Sequence, residues 1–174
     1  NHLYNFRNKP KRIVGKYDEN YEKLINENYQ LSKVDLVTKM VLEFPKLQGI
    51  MGHLYAKEKR EKNDIAIAIE EQYMPRSHQG ELPTSHLGLG VSLADKIDHL
   101  VSSFHWGLKV SGSQDPFGLR RAANNIFALV KQHKKPLDIK SLSEFAYHLM
   151  QGTPQFKERL DTFLEQRLVR FLSE

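Results

Sequence analysis

The stretch "VSLADKIDHLVSSF", residues 91–104, decides the fold class. Val91, Ala94, Ile97, Val101 and Phe104 recur at steps of three and four, which lines them along one face of an α-helix. A half-buried strand needs alternation of apolar and polar residues, and almost none runs through the chain. The same helical spacing continues on both sides. Upstream, "YDENYEKLINENYQLSKVDLVTKMVLEF" (17–44) reads as one or two helices, the second with a buried stripe of Leu31, Val34, Val37, Val41 and Phe44. Pro45 ends it, because the residue before a proline is pushed out of helical geometry.

"KLQGIMGHLYAKEK" (46–59) restarts as a helix. Its Gly49 and Gly52 lower helix propensity, so they are expected where another backbone comes close. "NDIAIAIEEQYM" (63–74) reads as a helix despite its local alternation, with Asp64 as a first-turn acid. "PRSHQGELPTSH" (75–86) is irregular, and Gly88 and Gly90 after it suit close helix packing. Downstream of the "HWGLKVSGSQ" loop (105–114), Asp115 is expected to cap a helix with Pro116 as its first residue. On that helix Leu119, Ala122, Ala123, Ile126, Leu129 and Val130 converge on one face. Arg120 lies at its edge, whereas Arg121 lies nearly opposite, near Phe117. Two amphipathic helices, within 141–152 and 154–172, close the chain. The economical organisation is one all-α helical domain over 1–174, its last helices (about 138–173) leading towards a neighbour.

Composition narrows the chemistry. Of 174 residues 40% are hydrophobic, enough for an ordinary core. Cysteine is absent, which excludes thiol catalysis, disulfides and cysteine-ligated zinc and suits a reducing cytoplasm. Lys and Arg number 26 against 21 Asp and Glu, a net charge of +5 that mildly favours an anionic partner. No apolar run is long enough to span a bilayer, so no membrane role is expected. The first residue is Asn, consistent with an excised piece of a longer protein.

Four ordered stretches carry a family resemblance: "LSKVDLVTKMVLEFPKLQGIMGHLYA", "IAIEEQYMPR", "SLADKIDHLVSSF" and "GSQDPFGLRRAA". Together they resemble the β subunit of the bacterial α2β2 glycyl-tRNA synthetase, over roughly residues 30–130. The resemblance implies a helical bundle of degenerate HD-domain type, with its core over about 18–135. It implies a non-catalytic tRNA-binding or scaffolding role in glycine–tRNA ligase. It also implies that ATP is used by the α subunit, with no cofactor in this chain. The implied partners are the α subunit, the other β-subunit domains and tRNA-Gly.

An active HD hydrolase needs a His-Asp pair and a distant Asp around a metal that activates water. No His-Asp dipeptide occurs here. "LSKVDL" stands where the pair is expected and offers Lys33 and Asp35, while Asp95 matches the distant acid. The alternative, a metal-dependent phosphohydrolase, would rebuild a site from Asp35, His53, Asp95, Asp98 and His99. Against it stands the plainer reading that Lys33, Asp35, Asp95, Asp98 and Arg120 form structural ion pairs. For RNA or protein contact the candidates are Arg121, Phe117, Arg76, Lys57, Arg60 and Lys131, with Lys59, Lys134 and Lys135 as further basic positions. Glu70, Tyr73 and Arg76 form a cluster that would serve a scaffold equally well.

Overall fold

The computed structural model describes residues 23–24, 27–28, 30–77, 79–108, 115–132, 138–150 and 153–174. Its α-helices are α1 (Lys39–Glu43), α2 (Ile50–Glu58), α3 (Asn63–Glu71), α4 (His86–His105), α5 (Leu119–Gln132), α6 (Ile139–Leu149) and α7 (Pro154–Ser173). Two 3-10 helices, Val34–Val37 and Pro45–Leu47, flank α1. There is no strand among the described residues, so the chain is all-α. The described residues form two compact units, one lying within 14–93 and the other within 94–174. The first turns of α4 thus belong to one unit and its remainder to the other.

In the first unit α2 packs on α3 around Ala56, Ile65, Ala66, Ala68, Ile69 and Leu87, with Leu24, Leu31 and Val91 against that cluster. Gly52 permits this approach, since a Cβ there would come 2.6 Å from Ile69 Cγ2 and 3.3 Å from Asp35 Cγ. Gly49 has φ +82°, and its Cβ would come 2.6 Å from the Tyr73 ring. Both glycines therefore make room for side chains, not for the second backbone that their spacing predicts. Gly88 likewise faces Glu71, but a Cβ on Gly90 would meet nothing within 4 Å, so Gly90 is not a packing glycine.

The buried stripe expected over 31–44 does not form. Lys33 takes the left-handed conformation (φ 64°) and Thr38 is extended (ψ 144°), so the 100° phase is broken twice. Thr38 then caps α1, its hydroxyl accepting from the Val41 amide. Val41 is buried, whereas Val34, Val37 and Phe44 are exposed. The stop at Pro45 holds, with Phe44 outside helical geometry.

In the second unit Ile97, Leu100, Val101 and Phe104 of α4 are buried, as are the α5 stripe residues Leu119, Ala122, Ala123, Ile126 and Leu129. Val130 is only half-buried, while Phe127 and Asn125 join the buried set. From α7, Phe156, Leu160 and Leu164 are buried, Phe163 packs 5.0 Å from Phe104, and Phe171 packs 5.6 Å from Phe127. α4 ends in a Schellman arrangement: the Gly107 amide bonds Phe104 O and the Leu108 amide bonds Ser103 O. Gly107 supplies the positive φ (78°) that this stop requires.

Candidate functional site

Asp35 is 2% exposed and sits in the 3-10 helix that follows the left-handed Lys33. Its Oδ2 accepts from the Gly49 amide at 2.5 Å, and its Oδ1 accepts from the Tyr73 hydroxyl at 3.1 Å. The carboxyl thus caps the start of α2 and ties it to the chain after α3. Both recorded donors are neutral groups. Asp35→Ala leaves a buried amide and a phenol without their acceptor, a loss of about 2–4 kcal/mol. Urea unfolding should show that loss as a lower midpoint; an unchanged midpoint would mean the carboxyl does not hold the fold.

Of the other residues expected to form a rebuilt metal site, His53 shares this unit, whereas Asp95, Asp98 and His99 belong to the second. His53 Nδ1 lies 2.9 Å from Glu70 Oε2, close enough for an ion pair but outside hydrogen-bond geometry. Asp95 and Asp98 are half-buried on α4, in the part that belongs to the second unit. His99 Nε2 lies 2.9 Å from Phe117 O. Among the described residues no three His, Asp or Glu side chains are grouped as a metal ion would require.

Glu71 was not legible as a site residue, yet among the described residues of the first unit it is the most engaged acid. It is 5% exposed. Oε1 accepts from the Thr84 amide (2.7 Å) and hydroxyl (2.8 Å), and Oε2 accepts from the Ser85 amide (3.2 Å) and hydroxyl. Ser85 in turn accepts the Gly88 amide on its Oγ at 2.9 Å, capping α4. The sequence signal was Thr84-Ser85 before a helix with glycine three residues on, which marks a cap but not the acid behind it.

The contact candidates lie on the surface. Helix α5 begins at Leu119, not Pro116: Asp115 to Gly118 form a turn, with the Gly118 amide on Asp115 O and φ 65° at Gly118. Proline and phenylalanine therefore sit outside the helix. Asp115 still serves the helix start, its Oδ2 accepting the Arg121 amide at 3.2 Å. That carboxylate beside the first turn offsets the two arginines there. Phe117 and Arg121 are exposed and Arg120 is half-buried. Lys131 is exposed near the end of α5, while Lys134 and Lys135 lie outside the described residues, as does 112–114.

In the first unit Arg76 donates to Gln48 O at 2.7 Å, and its guanidinium lies 5.8 Å from the Tyr73 ring centre. Tyr73 and Arg76 are brought together, while Glu70 turns to His53. Lys57, Lys59 and Arg60 are exposed at the end of α2. Lys62 of the same run is held by Glu27 at 2.8 Å, and this hydrogen bond keeps the Glu27 carboxyl below its usual pKa. Lys33 is half-buried.

Fold and site together define an all-helical module in which at least two buried acids, Asp35 and Glu71, bind its own chain. The family model described as "Glycyl-tRNA synthetase beta subunit" matches residues 4–174. The glycine–tRNA ligase β subunit of Halothermothrix orenii is 45% identical over 146 residues, covering 83% of this chain and 21% of that protein. The β subunit of Bacillus subtilis is 42% identical over 151 residues, covering 87% of this chain and 21% of that protein. The chain thus spans about one fifth of the length of the curated relatives it matches. It belongs to the glycyl-tRNA synthetase β-subunit family. No helix among the described residues is long and apolar enough to cross a membrane.

Proposed function

We propose that the chain is a non-catalytic helical module of glycine–tRNA ligase, a degenerate HD-type bundle that helps hold tRNA-Gly for aminoacylation. Family membership over residues 4–174 supports the ligase assignment. The observation that carries the non-catalytic part is the engagement of Asp35, at the position of the lost His-Asp pair, by Gly49 and Tyr73. A carboxyl that caps a helix is poorly placed to bind a metal as well. In this reading glycine activation with ATP belongs to the α subunit, this module needs no cofactor, and the assembly works in the cytoplasm. Its partners are the α subunit, the remaining β-subunit domains and tRNA.

Arg121 and Phe117 are the contacts proposed for RNA, because an exposed cation beside an exposed ring suits phosphate and base together. Arg76, Lys57, Arg60 and Lys131 are the further cations offered to phosphate. The test is tRNA-Gly binding to the assembled ligase by anisotropy across a salt series. Arg121→Ala should weaken binding severalfold and lower the salt slope by about 1, as loss of one phosphate contact requires. An unchanged affinity and slope would remove Arg121 from the interface.

A further inference from the structure

Three residues of the expected buried stripe, Val34, Val37 and Phe44, face water instead, and Met40, Leu42 and Leu54 from outside it do so too. Val37 is 78% exposed and Leu42 68%. They come from the 3-10 helix Val34–Val37, α1 and α2; the 3-10 helix packs on each of the other two and is tied to the start of α2 by the Asp35–Gly49 bond. Val34 and Val37, three apart, stack along the 3-10 helix. So many large exposed apolar side chains within one short stretch of chain mark an interaction site. All but Phe44 are aliphatic or Met, which favours protein over RNA, since bases stack on aromatic rings. The exposed charges over 39–60 are mainly basic, Lys39, Lys46, Lys57, Lys59 and Arg60 against Glu43 and Glu58. A complementary partner has an apolar face with a carboxylate rim.

We propose that this band docks an amphipathic, acid-rimmed helix from elsewhere in the same β-subunit polypeptide. The inference rests on the β-subunit reading: the matched stretch is 21% of the Halothermothrix orenii protein, leaving about four fifths to supply such a helix. An aliphatic surface this open suits a permanent contact, the more hydrophobic class of interface.

The chain contains no cysteine, so Val37→Cys or Leu42→Cys gives it one thiol. Maleimide labelling of that thiol, located by peptide mass spectrometry, is compared in four states. These are the 174-residue chain, a full-length β subunit carrying it, that subunit with the α subunit, and the assembly with tRNA-Gly. Labelling in urea sets the open rate. The 174-residue chain should label near the open rate, and the β subunit alone at least tenfold more slowly. An open rate in the β subunit overturns the proposal. Protection that appears only with the α subunit also overturns it and assigns the band to that partner, and protection only with tRNA assigns it to RNA. Charging of tRNA-Gly by the unlabelled assembly, run in parallel, reports separately whether the β-subunit reading holds. Far-UV circular dichroism checks that the variants fold, as expected for exposed positions.

Discussion

Gly88→Ala is expected to destabilise the first unit by about 3 kcal/mol, while Gly90→Ala, two residues along the same helix, stabilises it by up to about 1 kcal/mol. On propensity alone both changes should help, because alanine is the better helix former. Their surroundings separate them. A Cβ on Gly88 would lie 2.6 Å from Glu71 Cβ, an atom fixed to the backbone of α3 that no rotamer can move away. Relief requires α4 to shift from α3, and that shift strains the Thr84 and Ser85 bonds to Glu71. A Cβ on Gly90 meets nothing within 4 Å. Urea midpoints of the two variants, measured beside the parent, check the pair. Equal shifts of the same sign would mean that α3 and α4 do not meet at Gly88.

The second large effect is at Glu71. Glu71→Ala should cost on the order of 3–4 kcal/mol, because two amides and two hydroxyls lose one shared acceptor in a nearly dry position. Glu71→Gln keeps the shape but turns a donor NH2 towards groups that are themselves donors, so it should recover only part of the loss. The measurement is thermal unfolding together with hydrogen exchange at Thr84 and Ser85. The account expects those two amides to exchange much faster in Glu71→Ala. Retained protection there would show that another acceptor holds the segment. The same variant loosens the cap of α4, so exchange should also rise at Gly88, whose amide bonds Ser85 Oγ.

The helical class was legible because the apolar stripes of α4 and α5 keep phase over three or more turns, and most of their members are buried. α3 was legible from its flanking Glu and Ala content, and the burial of Ile65, Ala66, Ala68 and Ile69, which a strand burying alternate residues would not explain, agrees. The stretch 31–44 misled because its spacing fits a helix while two residues leave helical geometry, Lys33 and Thr38. Neither residue type announces this, and the result is that an expected core became a surface. The start of α5 moved for a comparable reason. Asp-Pro serves a helix cap and a turn equally, and the positive φ of Gly118 selects the turn.

At the site, motif order singled out Asp35 as a residue to watch, and it is buried. Its actual work was not legible, since its partners Gly49 and Tyr73 are 14 and 38 positions away. No spacing rule connects them. Glu71 escaped for the same reason, its donors lying 13 and 14 positions along the chain. Exposed candidates fared differently: Arg121, Phe117, Lys57 and Arg60 fell off every stripe, and they are exposed. Surface position could be read, whereas what meets that surface depends on molecules outside the chain.

The most direct test of the central claim, that this module holds tRNA and performs no chemistry, compares two reactions of one assembled ligase. Glycine-dependent ATP–pyrophosphate exchange reads activation, and tRNA-Gly charging reads activation plus tRNA placement. With Arg121→Ala the account predicts unchanged exchange, unchanged kcat for charging and a severalfold higher KM for tRNA. Exchange and charging that fall together would contradict it, because the module would then be acting in the chemical step.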